Sequence, residues 1–403
     1  MNPLQDKRIL LGVTGSIACY KAADLASKLR QAGAEVDVIL TEAGAKFVAP
    51  LTFQSVTGCK AYIDADLWGN EGHVLHIGLG KAADLLVIAP ITANTMAKLA
   101  HGEAGNLLTL TALASECPLL IAPAMDGGMF NHAATQANLE ILKDRGAIVL
   151  GPEAGHLASG MKSVGRMTEP LVLMDHIKTL LAQGGSMAGR KIVVTAGGTQ
   201  EPLDPVRYLT NRSSGKQGYA LARAARDMGA QVTLISAPTH LDTPVGMDCV
   251  DVRTAEEMLD AVLEQVTQAD VLVMAAAVSD FKPAKMAKEK IKKTGSAPAL
   301  DFESTPDILQ EVVKAKKKTE YPRVTVGFAA ESKDLLANAE KKLKDKGLDL
   351  IAANDISAQD AGFGVDSNRV TLLFANGKKE DLPLMSKDKA AAIIMERILD
   401  LIK

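Results

Sequence analysis

The sequence predicts two doubly wound, Rossmann-like α/β domains in one chain, and three observations carry that prediction. A length of 403 residues exceeds one ordinary domain and suits two. Apolar residues make up 47% of the chain and aromatics only 3%, so the cores must be aliphatic, which suits parallel strands covered by helices on both faces. Finally, both halves open on the same unit: an apolar strand, a glycine-bearing turn, an alanine-rich helix and a second strand. That is the beginning of a βαβ crossover.

The first such unit starts at Arg8-Ile9-Leu10-Leu11-Gly12-Val13. Its helix stops near Gly33 and its second strand spans Val36–Leu40. Further strands are expected at Leu85–Ala89, ended by Pro90, at Leu119–Ala122 and at Ile148–Leu150. The second half repeats the plan from Lys191, with a helix ending near Gly229 and a strand at Val232–Ser236. Strands at Val271–Ala275, Val324–Phe328, Leu350–Ala353 and Val370–Phe374 follow, then a closing helix at Lys387–Ile402. Gln183-Gly184-Gly185-Ser186 has the composition of a flexible linker. The expected division is therefore 1–183, a linker at 184–188, and 189–403. Right-handed crossovers put both glycine turns at the carboxyl edge of their sheets, where ligands bind.

A net charge of −3 argues against a dedicated nucleic-acid binder. Basic runs at Lys282–Lys293 and Lys314–Lys318 are first read as solvated surface. The four cysteines form no CxxC pair, which excludes a zinc-site or disulfide framework as the expectation. The amino terminus lacks the pattern of a signal peptide. The apolar stretch Leu107–Met125 is interrupted by Ser115, Glu116 and Pro118 and is not a membrane span. A cytoplasmic location is expected.

In the first half, Gly12-Val13-Thr14-Gly15-Ser16-Ile17 opens a helix, and backbone N–H groups there favour an anion such as a phosphate. Thr92 or Asn94 can cap the helix after Pro90 and can equally face a ligand over the sheet edge. Pro123-Ala124-Met125-Asp126-Gly127-Gly128 is another strand-end loop, with a thioether and a carboxylate. His76 is the candidate general base, because imidazole most readily takes and gives a proton near neutral pH. In the second half, Asn211-Arg212-Ser213-Ser214-Gly215-Lys216 leads into a helix and suits a phosphate, although the Walker A spacing is absent. Asp280 stands at the carboxyl end of a buried strand, and Lys342 and Lys346 share one helical face, a spacing that could grip a triphosphate.

Together these segments carry a resemblance. The first half, through Gly12–Ile17, Ala89–Thr95, Pro123–Phe130 and the loop Gly155–Gly160, resembles the homo-oligomeric FMN-containing cysteine decarboxylases that act on phosphopantothenoylcysteine. The resemblance implies that FMN oxidises the substrate thiol to a thioaldehyde, which promotes loss of the neighbouring carboxylate, and then returns the hydride. It implies His76 as the base and Gly15, Ser16, Ile17, Thr41, Thr92, Asn94 and Met125 as positions near FMN. Two positions depart from that family: Asp126 stands where Asn is usual, and Ser159 where the proton-donating Cys is usual. Asp126 is then a candidate donor itself.

The second half, from Gly189 to Lys403 and above all Asp204–Gly218, resembles the bacterial CTP-using phosphopantothenate–cysteine ligases. The resemblance implies an acyl-cytidylate formed from phosphopantothenate and CTP, from which cysteine displaces CMP, with Mg²⁺ offsetting the triphosphate charge. Asn211 would handle the acyl-cytidylate and Lys290 the cysteine step. Met274, Ala275, Ala276, Asp280, Lys290, Pro306, Asp307, Ile308, Leu309, Phe328, Lys342 and Lys346 would bind CTP. No metal ligands are assigned. The combination implies a two-activity enzyme of coenzyme A biosynthesis, with trimers of the flavin half and dimers of the ligase half. The alternative is an active ligase fused to a flavin-binding scaffold.

Overall fold

In a computed structural model, which describes residues 2–68, 74–158, 160–292, 299–331, 334–355 and 365–402, the chain forms two compact units, Asn2–Leu181 and Ala182–Lys403. Ser159 and Lys293 lie outside the described residues.

The first unit is built on β1 (Arg8–Val13), β2 (Glu35–Leu40), β3 (Ala61–Tyr62), β4 (Leu85–Ile91), β5 (Leu119–Pro123) and β6 (Ile148–Val149). They form one parallel sheet in the order β3-β2-β1-β4-β5-β6, the doubly wound order with its switch point between β1 and β4. Side chains of β1 alternate between the faces: Ile9, Leu11 and Val13 join one aliphatic core, Leu10 the other. Both faces are thereby covered by helices. The helix Cys19–Gln31 ends at Gly33, whose φ of +100° lies in the region glycine adopts without strain. Pro90 does not end its strand as expected. The strand continues to Ile91, and its register with β5 shifts between Ile88 and Ile91, where a residue without an N–H is tolerated. A hairpin follows, β7 (Glu153–His156) against β8 (Lys162–Arg166).

The second unit contains β9 (Lys191–Ala196), β10 (Gln200–Pro202), β11 (Tyr208–Thr210), β12 (Gln231–Ser236), β13 (Asp248–Asp251) and β14 (Val271–Met274). It continues with β15 (Phe281–Pro283), β16 (Phe302–Ser304), β17 (Val324–Glu331), β18 (Leu350–Asp355), β19 (Ser367–Phe374) and β20 (Lys379–Ser386). The main sheet runs β13-β12-β9-β14-β17-β18-β19-β20. It is parallel through β18 and antiparallel at β19 and β20. Ile192, Val194 and Ala196 of β9 face one core and Val193 the other. The segment expected to be a linker is packed into this unit: Met187 is fully buried and its N–H donates to Met228 O at 2.8 Å. Among the described residues no helix is long and apolar enough to cross a membrane.

Candidate active sites

In the first unit the order β2-β1-β4-β5 brings four strand-end loops to one edge. Hydrogen bonds lace them together. Thr14 Oγ1 donates to Pro90 O at 2.8 Å and accepts from Thr92 N at 3.0 Å. Thr41 N donates to Val13 O and Ala124 N to Ile91 O. Gly15 is required here, since a Cβ would stand 2.5 Å from that of Ala43.

Most of the polar side chains named for the flavin hold local structure. Ser16 Oγ accepts from Ala18 N; Thr41 caps the short helix Glu42–Ala45, and Thr92 caps Ala93–His101. Asp126 caps Gly127–Phe130 through Gly128 N at 2.9 Å. Asn94 and Ile17 are exposed and Met125 is half-buried. The helix Leu75–Ala82 precedes β4 and must run against it, which carries its first turn, with His76, to the carboxyl edge. His76 Nδ1 is buried without a hydrogen-bond partner. Such an orphan asks for a ligand or a water, so the edge fits a bound group.

Sequence reasoning missed what holds the loop of Met125 and Asp126. Met125 N donates to Gly165 O, and a Cβ on Gly165 would stand 2.1 Å from Met125 O. The hairpin that carries Gly165 is pinned by Glu169, which accepts from buried Lys21 at 2.7 Å and from Arg166 at 2.9 Å. The hydrogen bond from Lys21, with help from Arg166, holds the Glu169 carboxyl below its usual range.

The second unit has a cleft of about 870 Å³ at the carboxyl edge of its sheet. Of the residues named from sequence, Asn211, Met274, Ala275, Ala276, Asp280, Pro306, Asp307, Ile308, Leu309, Phe328, Lys342 and Lys346 all line it. Lys290 is exposed and is not part of the lining. Its position is set by its neighbour: Ile291 N donates to Asp204 Oδ2 at 3.1 Å, and Arg207 donates to Ile291 O at 3.0 Å. Asp204 is buried, which would raise its pKa. The N–H bonds from Val206, Ile291 and Arg207 outweigh that and lower it.

Asn211 Nδ2 donates to the carbonyls of Ala277 and Val278, both at 3.2 Å, which fixes its amide against the loop after β14. That loop is shaped by Thr195 Oγ1, which accepts from Ala276 N, and Thr199 Oγ1, which accepts from Ser279 N. Lys342 donates to Phe328 O, and Lys346 pairs with Asp307, the cap of the helix Ile308–Thr319. Gln217, Asn368 and Lys387 also line the cleft and escaped the sequence reading. Nothing local marks Asn368 or Lys387, because their place depends on how β19 and the closing helix fold back. A smaller cavity of about 460 Å³ lies at the amino ends of β9 and β12, the edge of a doubly wound sheet where ligands do not gather. Among the described residues no three His, Cys, Asp or Glu side chains cluster to hold a metal ion.

Two doubly wound units, each with a site at its carboxyl edge, define a two-site α/β enzyme. Comparison with known proteins gives the halves separate descriptions. Residues 2–182 match the Flavoprotein family, and residues 187–402 match the DNA/pantothenate metabolism flavoprotein C-terminal domain. The coenzyme A biosynthesis bifunctional protein CoaBC of Bacillus subtilis (strain 168) is 43% identical over 99% of this chain and 98% of its own length. Its namesake from Mycobacterium tuberculosis (strain H37Rv) is 42% identical over 98% and 96%. Among solved structures, the C-terminal domain of a CoaBC protein is 35% identical, covers 54% of this chain and 97% of its own, and has a TM-score of 0.46. The FMN-dependent cysteine decarboxylase SpaF is 33% identical, covers 44% and 97%, and has a TM-score of 0.39.

The chain belongs to the CoaBC family of bifunctional coenzyme A biosynthesis enzymes, with a decarboxylase domain followed by a ligase domain. The alternative of a ligase on a flavin-binding scaffold is not favoured, because the likeness to bifunctional relatives runs through both halves.

Proposed function

We propose that the cleft of the second unit joins cysteine to phosphopantothenate at the expense of CTP, and that the edge of the first unit decarboxylates the product with FMN. The single observation that supports this best is the gathering of Asn211, Asp280, Lys342 and Lys346 in one cleft of a chain whose relatives are bifunctional along its whole length.

In the ligation, a carboxylate oxygen of phosphopantothenate bonds to the α-phosphorus of CTP and the bond to pyrophosphate breaks. The amine of cysteine then attacks the acyl carbon, CMP leaves, and the amine proton goes to solvent. Activation is needed because a carboxylate oxygen is a poor leaving group at neutral pH. Asn211, held by two backbone carbonyls, is preorganised beside the reacting acyl phosphate. Lys290 offsets charge in the cysteine step, at a place set by Asp204 and Arg207. Mg²⁺ would be held chiefly by the triphosphate oxygens and water, as this ion usually is.

In the decarboxylation, bound FMN would supply reversible oxidation of the substrate thiol. The chain's residues do the rest. The loops at Gly15, Thr41, Thr92 and Met125 form the bed, and His76 manages a proton at its unpartnered Nδ1. Asp126 returns the proton to the product, and Ser159 stands at the position where the resemblance expects the proton-donating Cys. The reading also places the chain in the cytoplasm as a homo-oligomer, in which subunit contacts would cover exposed Ile17, Leu51 and Trp68. An assay with separate readouts tests it: CTP, phosphopantothenate and cysteine should yield pyrophosphate first and CO₂ second. Absence of pyrophosphate would overturn the ligase assignment, and pyrophosphate without CO₂ the decarboxylase assignment.

A further inference from the structure

A buried lysine in the first unit has no place in the steps above. Lys21 stands in the first turn of the helix Cys19–Gln31, which follows the turn Thr14-Gly15-Ser16-Ile17, and is only 7% exposed. Its ammonium donates to Met167 O at 2.9 Å and to Glu169 Oε1 at 2.7 Å. The same Oε1 accepts from Arg166 at 2.9 Å. Arg166 ends β8, and its side chain crosses Gly155 of β7, where a Cβ would run into it. Met167 is buried in the core that also holds Ile9 and Leu11 of β1. Glu169 directly precedes the helix Pro170–Leu181, whose Leu173 and Ile177 join that core. One ammonium therefore ties the foot of the hairpin to the helix that leaves the glycine turn.

The strand anchored in this way lies flush on the loop that carries Asp126. Met125 N donates to Gly165 O at 3.1 Å, and a Cβ on Gly127 would run into the Ser163 side chain. With glycine on both sides of the contact, a shift of β8 is passed directly to the loop. Net stability does not explain Lys21. An ion pair taken out of water adds little, and apolar residues of similar volume often serve as well. What the lysine adds is direction, because its two acceptors stand at fixed places and one of them is a backbone carbonyl. The Glu169 carboxyl is held below its usual range chiefly by the hydrogen bond from Lys21, so the pair stays charged at neutral pH.

We propose that Lys21, through Glu169 and Met167 O, is a positioning residue for the decarboxylation: it seats β8 against the loop Met125-Asp126-Gly127-Gly128 and so sets where Asp126 delivers its proton. This rests on the decarboxylase reading of the first edge, with Asp126 as the donor. In that reading the decarboxylated enethiolate gains a hydride from the reduced flavin and a proton from Asp126 across its C=C bond. The saturated thiolate and oxidised flavin are left. Oxidation of the thiol, assigned to the flavin bed and His76, does not use that proton. The two halves of the turnover should therefore respond differently to loss of Lys21.

Two measurements on the full, flavin-loaded chain test this together: anaerobic stopped-flow with phosphopantothenoylcysteine, and amide hydrogen exchange without substrate. In Lys21→Met the flavin should stay bound and bleach at the wild-type rate. Its colour should return up to about 10²-fold more slowly, the cost of misplacing a reacting group by about 1 Å. Exchange should quicken at Met125 and along β8 and stay slow in β1 and β4. Glu169→Ala truncates a half-exposed side chain, should show the same pattern, and answers the question if Lys21→Met does not fold. Glu169→Gln keeps an acceptor oxygen for Lys21 and should recover most of the rate. Bleaching and recovery slowed alike, with faster exchange throughout the unit, would reduce Lys21 to a support of the fold. A folded Lys21→Met with wild-type recovery would overturn the proposal, whether or not Met125 stays protected. A wild-type flavin that never bleaches would refute the decarboxylase reading itself, a failure distinct from the others.

Discussion

At the edge of the first unit, Ser16, Thr41, Thr92 and Asp126 each accept a backbone N–H close to where their own chain begins a helix. At the edge of the second, Asn211 reaches across to the loop after β14, and Gln217 and Asn354 keep unmatched polar atoms in a cleft. The two edges share a topology and differ in how their polar groups are committed. Capping side chains fix the backbone and leave a bed of loops, which suits a broad, flat ligand. Unmatched amide atoms and lysines in the lining suit a ligand that brings charge with it. His76 Nδ1 is the exception on the first edge, and for that reason it is the group expected to do chemistry there.

The contrast can be broken by substitution, one edge at a time. His76→Asn should lower CO₂ release from phosphopantothenoylcysteine by about 10²–10⁴, the usual range for an acid–base group. Pyrophosphate release by the ligase should be untouched; equal losses in both would show that His76 supports the fold as a whole. Lys290→Gln should slow formation of the cysteine adduct by about 10²–10³, as loss of one electrostatic contact does. CO₂ release from supplied phosphopantothenoylcysteine should continue. An unaffected ligation rate would remove Lys290 from the mechanism.

Gly165→Ala drives a methyl group into Met125 O, a backbone atom that cannot swing away. A cost of about 1–3 kcal/mol is expected, read as a lower midpoint for the thermal transition of the first unit with the second unchanged. An unshifted transition would mean that the hairpin does not press on the loop of Asp126.

Asp204 gives a dependence on pH. Its folded pKa is depressed, so its contribution is present above the ordinary aspartate range and is lost as pH falls through the lowered value. Thermal unfolding of the second unit should therefore steepen on its acid side, and Asp204→Asn should flatten that limb. The smallest effect belongs to Lys314, which is exposed and, among the described residues, paired only with Glu311 one turn away. Lys314→Ala should change stability by no more than about 0.5 kcal/mol, and a larger change would deny that this basic run is solvated surface.

Strand periodicity and glycine turns made the parallel core of both units legible, because a buried parallel strand reads as an unbroken aliphatic run. Pro90 misled because a bulge lets a strand pass through it. The antiparallel edge was partly hidden, although Asn376-Gly377 between β19 and β20 is an ordinary hairpin signal. Met187 shows the limit of composition: a glycine- and serine-rich stretch reads as flexible, yet its next residue is anchored in a core. Motif segments revealed one wall of each site. Lys387 and Asn368 were not legible, since a residue at a helix start or on a strand added antiparallel to the sheet acquires its role only from the partner that tertiary folding brings to it.

The central claim is that both edges work, including a first edge that carries Asp126 and Ser159. Anaerobic stopped-flow of the yellow protein with phosphopantothenoylcysteine, without CTP, tests it most directly. The flavin absorbance should bleach and CO₂ should appear. A flavin that stays oxidised, with no CO₂, in a chain that still releases pyrophosphate from CTP would contradict it.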